Sequence, residues 1–255
     1  MPVNNKLPQI TLAFWVMKIC ATTLGETAGD LLSMTLNVGY AISSLILISL
    51  FLVTLVGQLA SKRYVPWLYW LVILSTSTAG TTMSDFMDRT LELGYATGSA
   101  ILISILAAIF AVWRFSGTSL SVDNIRTFKG EMFYWIAILF SNTLGTALGD
   151  FLADDSGLGF AGGALLIGSL IAVVVALHYF TKLSSVLLFW VAFVLTRPFG
   201  ATLGDVLTKS HEKGGLDFGT IGSSAILAGI LVALVVVVSV RQKREEQGGA
   251  AVLSS

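Results

Sequence analysis

Residues 15–30 read WVMKICATTLGETAGD, a stretch that begins with a tryptophan and reaches an aspartate fifteen residues later. Residues 135–150, WIAILFSNTLGTALGD, follow the same plan. The complete set of pairs is Trp15 and Asp30, Trp70 and Asp85, Trp135 and Asp150, and Trp190 and Asp205. Because self-similarity at a fixed spacing marks a repeat architecture, we interpret the chain as four tandem copies of one unit.

Glycines keep the same register in every copy. Ten residues after each tryptophan stands Gly25, Gly80, Gly145 or Gly200, and a second small residue follows four positions later. Such small-xxx-small pairs let helix backbones approach closely in a bilayer, so we assign them to packing. A second helix of each copy then opens at Gly39, Gly94, Gly159 or Gly219. The predicted copies are 8–62, 63–116, 128–181 and 182–240.

Composition places this repeat in a membrane. The chain is 55% hydrophobic and 12% charged, whereas soluble domains carry about 25% charged residues. Runs long enough to cross a bilayer as helices occur at 10–33, 39–60, 65–86, 94–114, 132–152, 159–180, 183–206 and 218–240. We therefore predict an all-α polytopic membrane protein with eight transmembrane helices, one transmembrane domain over 1–240 and a disordered tail over 241–255. The single Cys20 excludes an internal disulfide.

The distribution of basic residues predicts the orientation. Lysines and arginines concentrate before the first run, in the second, fourth and sixth connections and in the tail. By the positive-inside bias, both termini are cytoplasmic. The formal net charge of zero favours neither nucleic acid nor another polyanion as a partner.

The four tryptophan-bearing copies, over roughly residues 8–240, resemble a bacterial family of predicted membrane-anchored proteins with four tandem repeats of unknown function. That resemblance implies a multi-pass protein of the bacterial inner membrane. It implies no activity, so function has to be inferred from the residues.

Since every copy contains two spans, all four copies share one orientation, and we expect them to surround an axis along the membrane normal. Equivalent positions then form layers. Seven, eight and eleven residues after the tryptophan these layers are polar in most copies. With the intramembrane Lys18, they give a predicted substrate pathway of Lys18, Thr22, Thr23, Glu26, Ser77, Thr78, Asn142, Thr143, Arg197 and Pro198.

Carboxylates on the same helical face suggest metal binding. Oxygen ligands suit hard divalent ions such as Mg²⁺, Ca²⁺ or Mn²⁺, and the predicted metal ligands are Glu26, Asp30, Asp85, Asp150 and Asp205. The aspartates have an equally weighted alternative as helix-end residues at the outer interface. Glu26 has the alternative of an internal ion pair with Arg197 or Lys18. Because the intramembrane charges belong to copies one and four, they predict one asymmetric site.

Three functions remain open from the sequence. The first is a transporter of a divalent cation, with proton coupling as an option and the metal as substrate rather than cofactor. The second is a transporter of an organic or anionic solute held by Lys18 and Arg197, and the third is a membrane scaffold or regulatory subunit. Motifs such as HExxH, CxxC and GxSxG do not occur, so we predict no enzyme. Whether the pathway forms in one chain or in a homo-oligomer also stays open.

Overall fold

The computed structural model describes residues 6–253, and the side-chain environments up to Arg244. The described residues form eight long α-helices and no strand. The helices are α1 (Leu12–Asp30), α2 (Tyr40–Ala60), α3 (Pro66–Asp85), α4 (Tyr95–Phe115), α5 (Phe128–Asp150), α6 (Gly159–Phe180), α7 (Ser185–Thr208) and α8 (Thr220–Leu253). Each copy therefore contributes two helices, as the repeat predicts.

Six of these helices, α2 and α4 to α8, are long and apolar enough to cross a membrane. α1 and α3 have the length of a span, but α1 contains three threonines and three charged residues, and α3 contains seven serines and threonines and one aspartate. The chain thus has the composition of a multi-pass membrane protein.

The first helices of the copies form a closed inner ring. α1 contacts α3, α3 contacts α5, α5 contacts α7, and α7 returns to α1. A methyl group added at Gly25 would lie 2.3 Å from the β-carbon of Ser77, and one at Gly200 would lie 2.7 Å from that of Thr22. A methyl group at Gly80 would lie 3.0 Å from the β-carbon of Asn142, and one at Gly145 would overlap the side chain of Arg197. Position numbers below count residues after the tryptophan of a copy. Around the whole ring, the glycine at position ten of one copy therefore packs against the residue at position seven of the next copy.

The second helices form an outer ring that is offset by one copy. α2 packs against α3, α4 against α5, α6 against α7, and α8 against α1. Each outer helix thus covers the inner helix of the following copy, and α8 closes the circle onto the first. Large apolar side chains such as Leu45, Val53 and Leu165 remain exposed on the outside, which suits contact with lipid.

A repeated turn joins the two helices of a copy. A five-residue π-helical segment follows the aspartate in the first three copies: Leu31–Thr35, Phe86–Thr90 and Phe151–Asp155. The outer helix then starts at a glycine with positive φ, for example 80° at Gly39 and 71° at Gly94. A residue with a side chain is strained at such a positive φ, which explains why glycine recurs at this position. In the fourth copy five additional residues separate the aspartate from the glycine, and this longer connection contains a short 3₁₀ turn, His211–Lys213.

The tail that the sequence predicts over 241–255 follows the apolar part of α8. α8 continues to Leu253, and the last two residues lie outside the described range. The polar segment begins with Arg241, Gln242, Lys243 and Arg244. These residues are good helix formers, and a helix that already exists extends without a new nucleation cost.

Candidate functional site

The inner ring encloses a buried polar axis. The residues three, seven, eleven and fifteen positions after each tryptophan are mostly buried, although many of them are polar. Successive steps of about four residues place them on one face of each helix. The equivalent positions therefore meet as layers, which is the arrangement expected from the repeat.

Glu26 and Arg197 form an ion pair at the centre of the position-eleven layer. The Nη1 atom of Arg197 lies 3.0 Å from Oε2 of Glu26, and the two side chains are 0% and 4% exposed. Nη2 of Arg197 donates to the hydroxyls of Thr81 and Thr146. Those hydroxyls in turn donate to Glu26 Oε2 over 3.3 and 3.2 Å. The second and third copies supply hydroxyls to Glu26 of the first copy, and the arginine of the fourth copy completes the network.

Lys18 is buried but does not pair with Glu26. Its ammonium lies 3.4 Å from Oδ1 of Asn142 and 4.2 Å from the ring centre of Phe193. The amide of Asn142 donates to the hydroxyl of Thr76 over 3.0 Å. Of the two partners considered for Glu26, the structure brings Arg197 to it and leaves Lys18 in a separate layer.

The four repeat aspartates are buried, although a helix-end position predicts exposure. Asp30, Asp85, Asp150 and Asp205 are all 2–4% exposed. The reason is that each receives a basic group. Lys209 lies 3.0 Å from Asp30 and 3.1 Å from Asp205.

Arg89 repeats this arrangement on the other side of the axis, 3.0 Å from Asp85 and 3.2 Å from Asp150. Arg89 and Lys209 were not among the predicted site residues. Each stands four residues after the aspartate of its own copy, so the helical i,i+4 spacing was a signal for them. The bridges to the next copy follow from ring closure.

Three of the five predicted metal ligands converge. Carboxylate oxygens of Glu26, Asp30 and Asp205 lie within 4.8 Å of one another. Asp85 and Asp150 are instead joined through Arg89. Three carboxylates at that spacing fit a hard cation that prefers oxygen ligands, and Lys209 occupies two of them.

Lys209 follows the end of α7. Burial alone would lower the pKa of its amine, but Asp205 and Asp30 outweigh burial and hold the pKa above its ordinary range. The ammonium is therefore the form of Lys209 that belongs to this arrangement.

Other predicted pathway residues use their hydrogen bonds within their own helices. The hydroxyls of Thr23, Thr78 and Thr143 donate to carbonyls four residues earlier. The hydroxyl of Thr22 lies within hydrogen-bond distance of two backbone carbonyls, that of Lys18 in its own helix and that of Thr196 across the α1–α7 contact. Pro198 lies inside α7 and packs against Gly145. Ser77 contributes its carbonyl to Arg197 over 3.4 Å.

The repeat tryptophans belong to the core. Trp70, Trp135 and Trp190 are buried and meet tyrosine and phenylalanine rings edge-on or tilted. Trp190 also donates to the carbonyl of Leu120 over 3.0 Å. These contacts show that the three tryptophans pack within the aromatic core.

The sequence model of one protein family matches the chain in four places, at residues 13–64, 68–119, 133–184 and 188–244. Its description is "Repeat of Unknown Function (DUF347)". No curated protein and no solved structure matches the chain. The four matches confirm the resemblance that the tryptophan spacing indicates.

Proposed function

The chain belongs to the DUF347 repeat family, and because that description states no activity, we propose from the geometry that the protein is a membrane transporter for a divalent metal cation. The proposed binding site consists of Glu26, Asp30 and Asp205, with Lys209 as an internal competitor for the metal.

One observation carries this proposal, the imbalance of buried charge at one end of the axis. In the part of the chain that the structure describes, the layers eleven and fifteen residues after the tryptophans hold five buried carboxylates, those of Glu26, Asp30, Asp85, Asp150 and Asp205. A sixth buried carboxylate at this end, Asp88, lies outside these layers and accepts a hydrogen bond from Ser84. The basic groups paired with the five carboxylates are three, Arg89, Arg197 and Lys209. Unbalanced buried charge is costly. One divalent cation or two protons would balance the two remaining carboxylates.

The position of Lys209 supports exchange rather than permanent binding. Its side chain is 21% exposed and follows the last residue of α7, so its flexible stem has room to withdraw. An incoming cation would take Asp30 and Asp205 from the ammonium, and the ammonium would return when the cation leaves. Asp30 and Asp205 therefore contact a positive group in both states.

We infer further that all eight helices cross the membrane. α1 and α3 are more polar than a lipid-exposed span, but the other inner and outer helices cover them. Polar groups are tolerated in such spans when they face the bundle interior. With the basic connections on the cytoplasmic side, the aspartate layer then faces outward across the bacterial inner membrane.

One observation favours the anionic alternative, namely that Lys18 has no carboxylate contact among the described residues. Arg197 gives it less support, since its guanidinium is occupied by Glu26, Thr81 and Thr146. The third candidate, a membrane scaffold or regulatory subunit, does not require an excess of buried carboxylates over basic groups.

The test is metal uptake into proteoliposomes, measured with a fluorescent indicator inside the vesicles. We expect Mn²⁺ uptake, with Mg²⁺ and Ca²⁺ as competing probes. Asp205→Asn removes a ligand and should weaken Mn²⁺ uptake by at least about tenfold. Asp155→Asn is the matched control, because Asp155 lies on the same side and is exposed.

Lys209→Gln separates the proposed competition from a merely structural role. Removal of the competitor should lower the Mn²⁺ concentration needed for half-maximal binding, whereas loss of a structural contact would raise it or leave it unchanged. No Mn²⁺, Mg²⁺ or Ca²⁺ uptake by folded protein, together with melting temperatures that do not respond to these ions, would eliminate the metal transporter. Stabilisation by small anions that Lys18→Met abolishes would favour the alternative.

A further inference from the structure

A buried lysine without a countercharge lies outside the proposed metal site. Lys18 is 0% exposed, and among the described residues its ammonium contacts an amide oxygen and an aromatic ring but no carboxylate. We propose that Lys18 is the proton-exchanging residue of this protein, which releases its proton when a cation enters the carboxylate layer. This inference rests on the proposed function, since the cation drives the release.

The surroundings of Lys18 stabilise neither its ammonium form nor its neutral amine form strongly. α5 supplies Asn142, α7 supplies Phe193, and α3 supplies Thr76 behind Asn142. The guanidinium of Arg197 repels an ammonium at this position. α8 also packs against α1, but its described helical residues before Arg241 include no ionisable side chain. An amide oxygen and a ring face stabilise a cation weakly compared with a carboxylate.

The same helix connects Lys18 to the metal site. Lys18, Thr22 and Glu26 follow one another at four-residue steps on α1, so Lys18 lies about 12 Å along the helix from Glu26. Because the cation displaces the Lys209 ammonium, the site gains about one positive charge, which at an effective dielectric constant near 20 and this distance changes an equilibrium about tenfold. Entry of the cation thus opposes the positive charge on Lys18 without direct contact.

Polar groups also continue on the other side of Lys18. Four residues nearer the N-terminal end of the inner helices, the hydroxyls of Tyr69 and Tyr134 hydrogen-bond to each other over 2.7 Å, both fully buried. Beyond them, Glu131 pairs with Lys6 over 3.0 Å. A proton that leaves Lys18 therefore meets hydroxyl and carboxyl groups on the side of the N-terminal ends of the inner helices. The guanidinium of Arg197 lies on the opposite side, towards the metal site. The ammonium becomes a neutral amine, and the proton passes to water.

The test counts the protons that are released when Mn²⁺ binds to purified protein in detergent. The solution is weakly buffered, and a pH indicator is read during a Mn²⁺ titration whose occupancy is measured independently. Lys18→Met should release up to about half a proton fewer per bound Mn²⁺ than the unchanged protein, at the pH where the difference is largest. Lys182→Met, which replaces an exposed lysine in the connection between α6 and α7, should release the unchanged number.

Lys18→Arg protects the test against a folding defect in Lys18→Met. Arginine keeps the positive charge but does not give up its proton, so this variant should show the same loss. Equal proton release in both variants and in the unchanged protein, at equal Mn²⁺ occupancy, would overturn the role of Lys18 and leave the metal site standing. Failure of folded unchanged protein to bind Mn²⁺ would overturn both the proposed function and this inference.

Discussion

The two ends of the inner ring are built from the same four repeats, yet they differ in chemistry. At the N-terminal end, the residues that precede the tryptophans are Phe14, Tyr69, Tyr134 and Phe189, all aromatic. At the other end, position eleven has diverged into Glu26, Thr81, Thr146 and Ala201. The aromatic end is a packed core, whereas the polar end carries an ion pair and the carboxylates. The repeats determine the helix arrangement, and the different residues at position eleven create a single asymmetric site.

The comparison predicts that, at the charged end, removing one member of an ion pair lowers stability more than removing both members together. Glu26→Gln leaves Arg197 without its carboxylate at a fully buried position. Breaking a buried pair from one side costs about 3–5 kcal/mol, so this should be the largest loss of stability. Denaturant or thermal unfolding in detergent measures it.

The double variant Glu26→Gln with Arg197→Gln is the control for that experiment. Since it removes both charges, it should be more stable than either single variant. Additive losses in this double-mutant cycle would show that the two side chains do not depend on each other, contrary to the observed contact.

The glycines test whether the helix arrangement depends on close helix contact. A methyl group at Gly145 would lie within 2.5 Å of Arg197 side-chain carbons. Gly145→Ala should therefore cost about 1–3 kcal/mol through overpacking. Gly229 of α8 has no heavy atom within 4 Å of the added carbon. Gly229→Ala should be neutral or stabilising by up to about 1 kcal/mol, because alanine is the better helix former.

Equal effects of the two glycine substitutions on the melting temperature would contradict the assignment of Gly145 to the helix contact. The same pair of variants sharpens the comparison of inner and outer helices, since α7 contacts α5 through Gly145 and α8 presents Gly229 to open space.

The repeat made the layers predictable, because equal spacing in four copies of equal orientation brings equivalent residues together. The encounter of Glu26 with Thr81 and Thr146 is an example. The partner of Glu26 was not predictable, since Lys18 and Arg197 have similar reach and only packing selects between them. The offset of α2 onto α3 was also not predictable, because a short connection favours packing within one copy.

Burial of the aspartates was missed for a related reason. A carboxylate at a helix end is cheap when water reaches it, so the sequence favoured exposure for Asp30 and Asp205. Lys209 and Arg89 change that balance by bridging neighbouring copies. Their i,i+4 spacing to Asp205 and Asp85 was visible in the sequence, but the second bridge of each depends on closure of the ring.

Lys209 gives a prediction on the pH dependence of the charged end. Lys209→Gln should cost about 1.5 kcal/mol at neutral pH, the value of a hydrogen bond to a charged group. Because Asp205 and Asp30 raise the folded-state pKa of Lys209, its contribution is complete below the unfolded pKa of about 10.4. It is then lost progressively as the pH rises towards the folded value.

Melting temperatures of both proteins between pH 7 and pH 11 check this dependence. The difference between them should be constant up to about pH 10 and then shrink. A difference that already disappears between pH 7 and pH 9 would mean that Lys209 is not held as an ammonium by the two aspartates.

The smallest expected effect belongs to the aromatic end. Tyr69→Phe removes one hydroxyl of a buried pair and leaves the ring contacts with Trp70 and Trp135 in place. A hydrogen bond contributes about 1 kcal/mol, and the partner hydroxyl of Tyr134 stays buried without it. The double variant with Tyr134→Phe should cost less than twice the single loss, because it leaves no unpaired hydroxyl. Unfolding in detergent compares the three proteins, and a strictly additive loss would mean that the two hydroxyls stabilise the core separately. Proton release from Lys18 towards this end further predicts that the double variant slows Mn²⁺-driven proton movement in proteoliposomes while Mn²⁺ affinity stays unchanged.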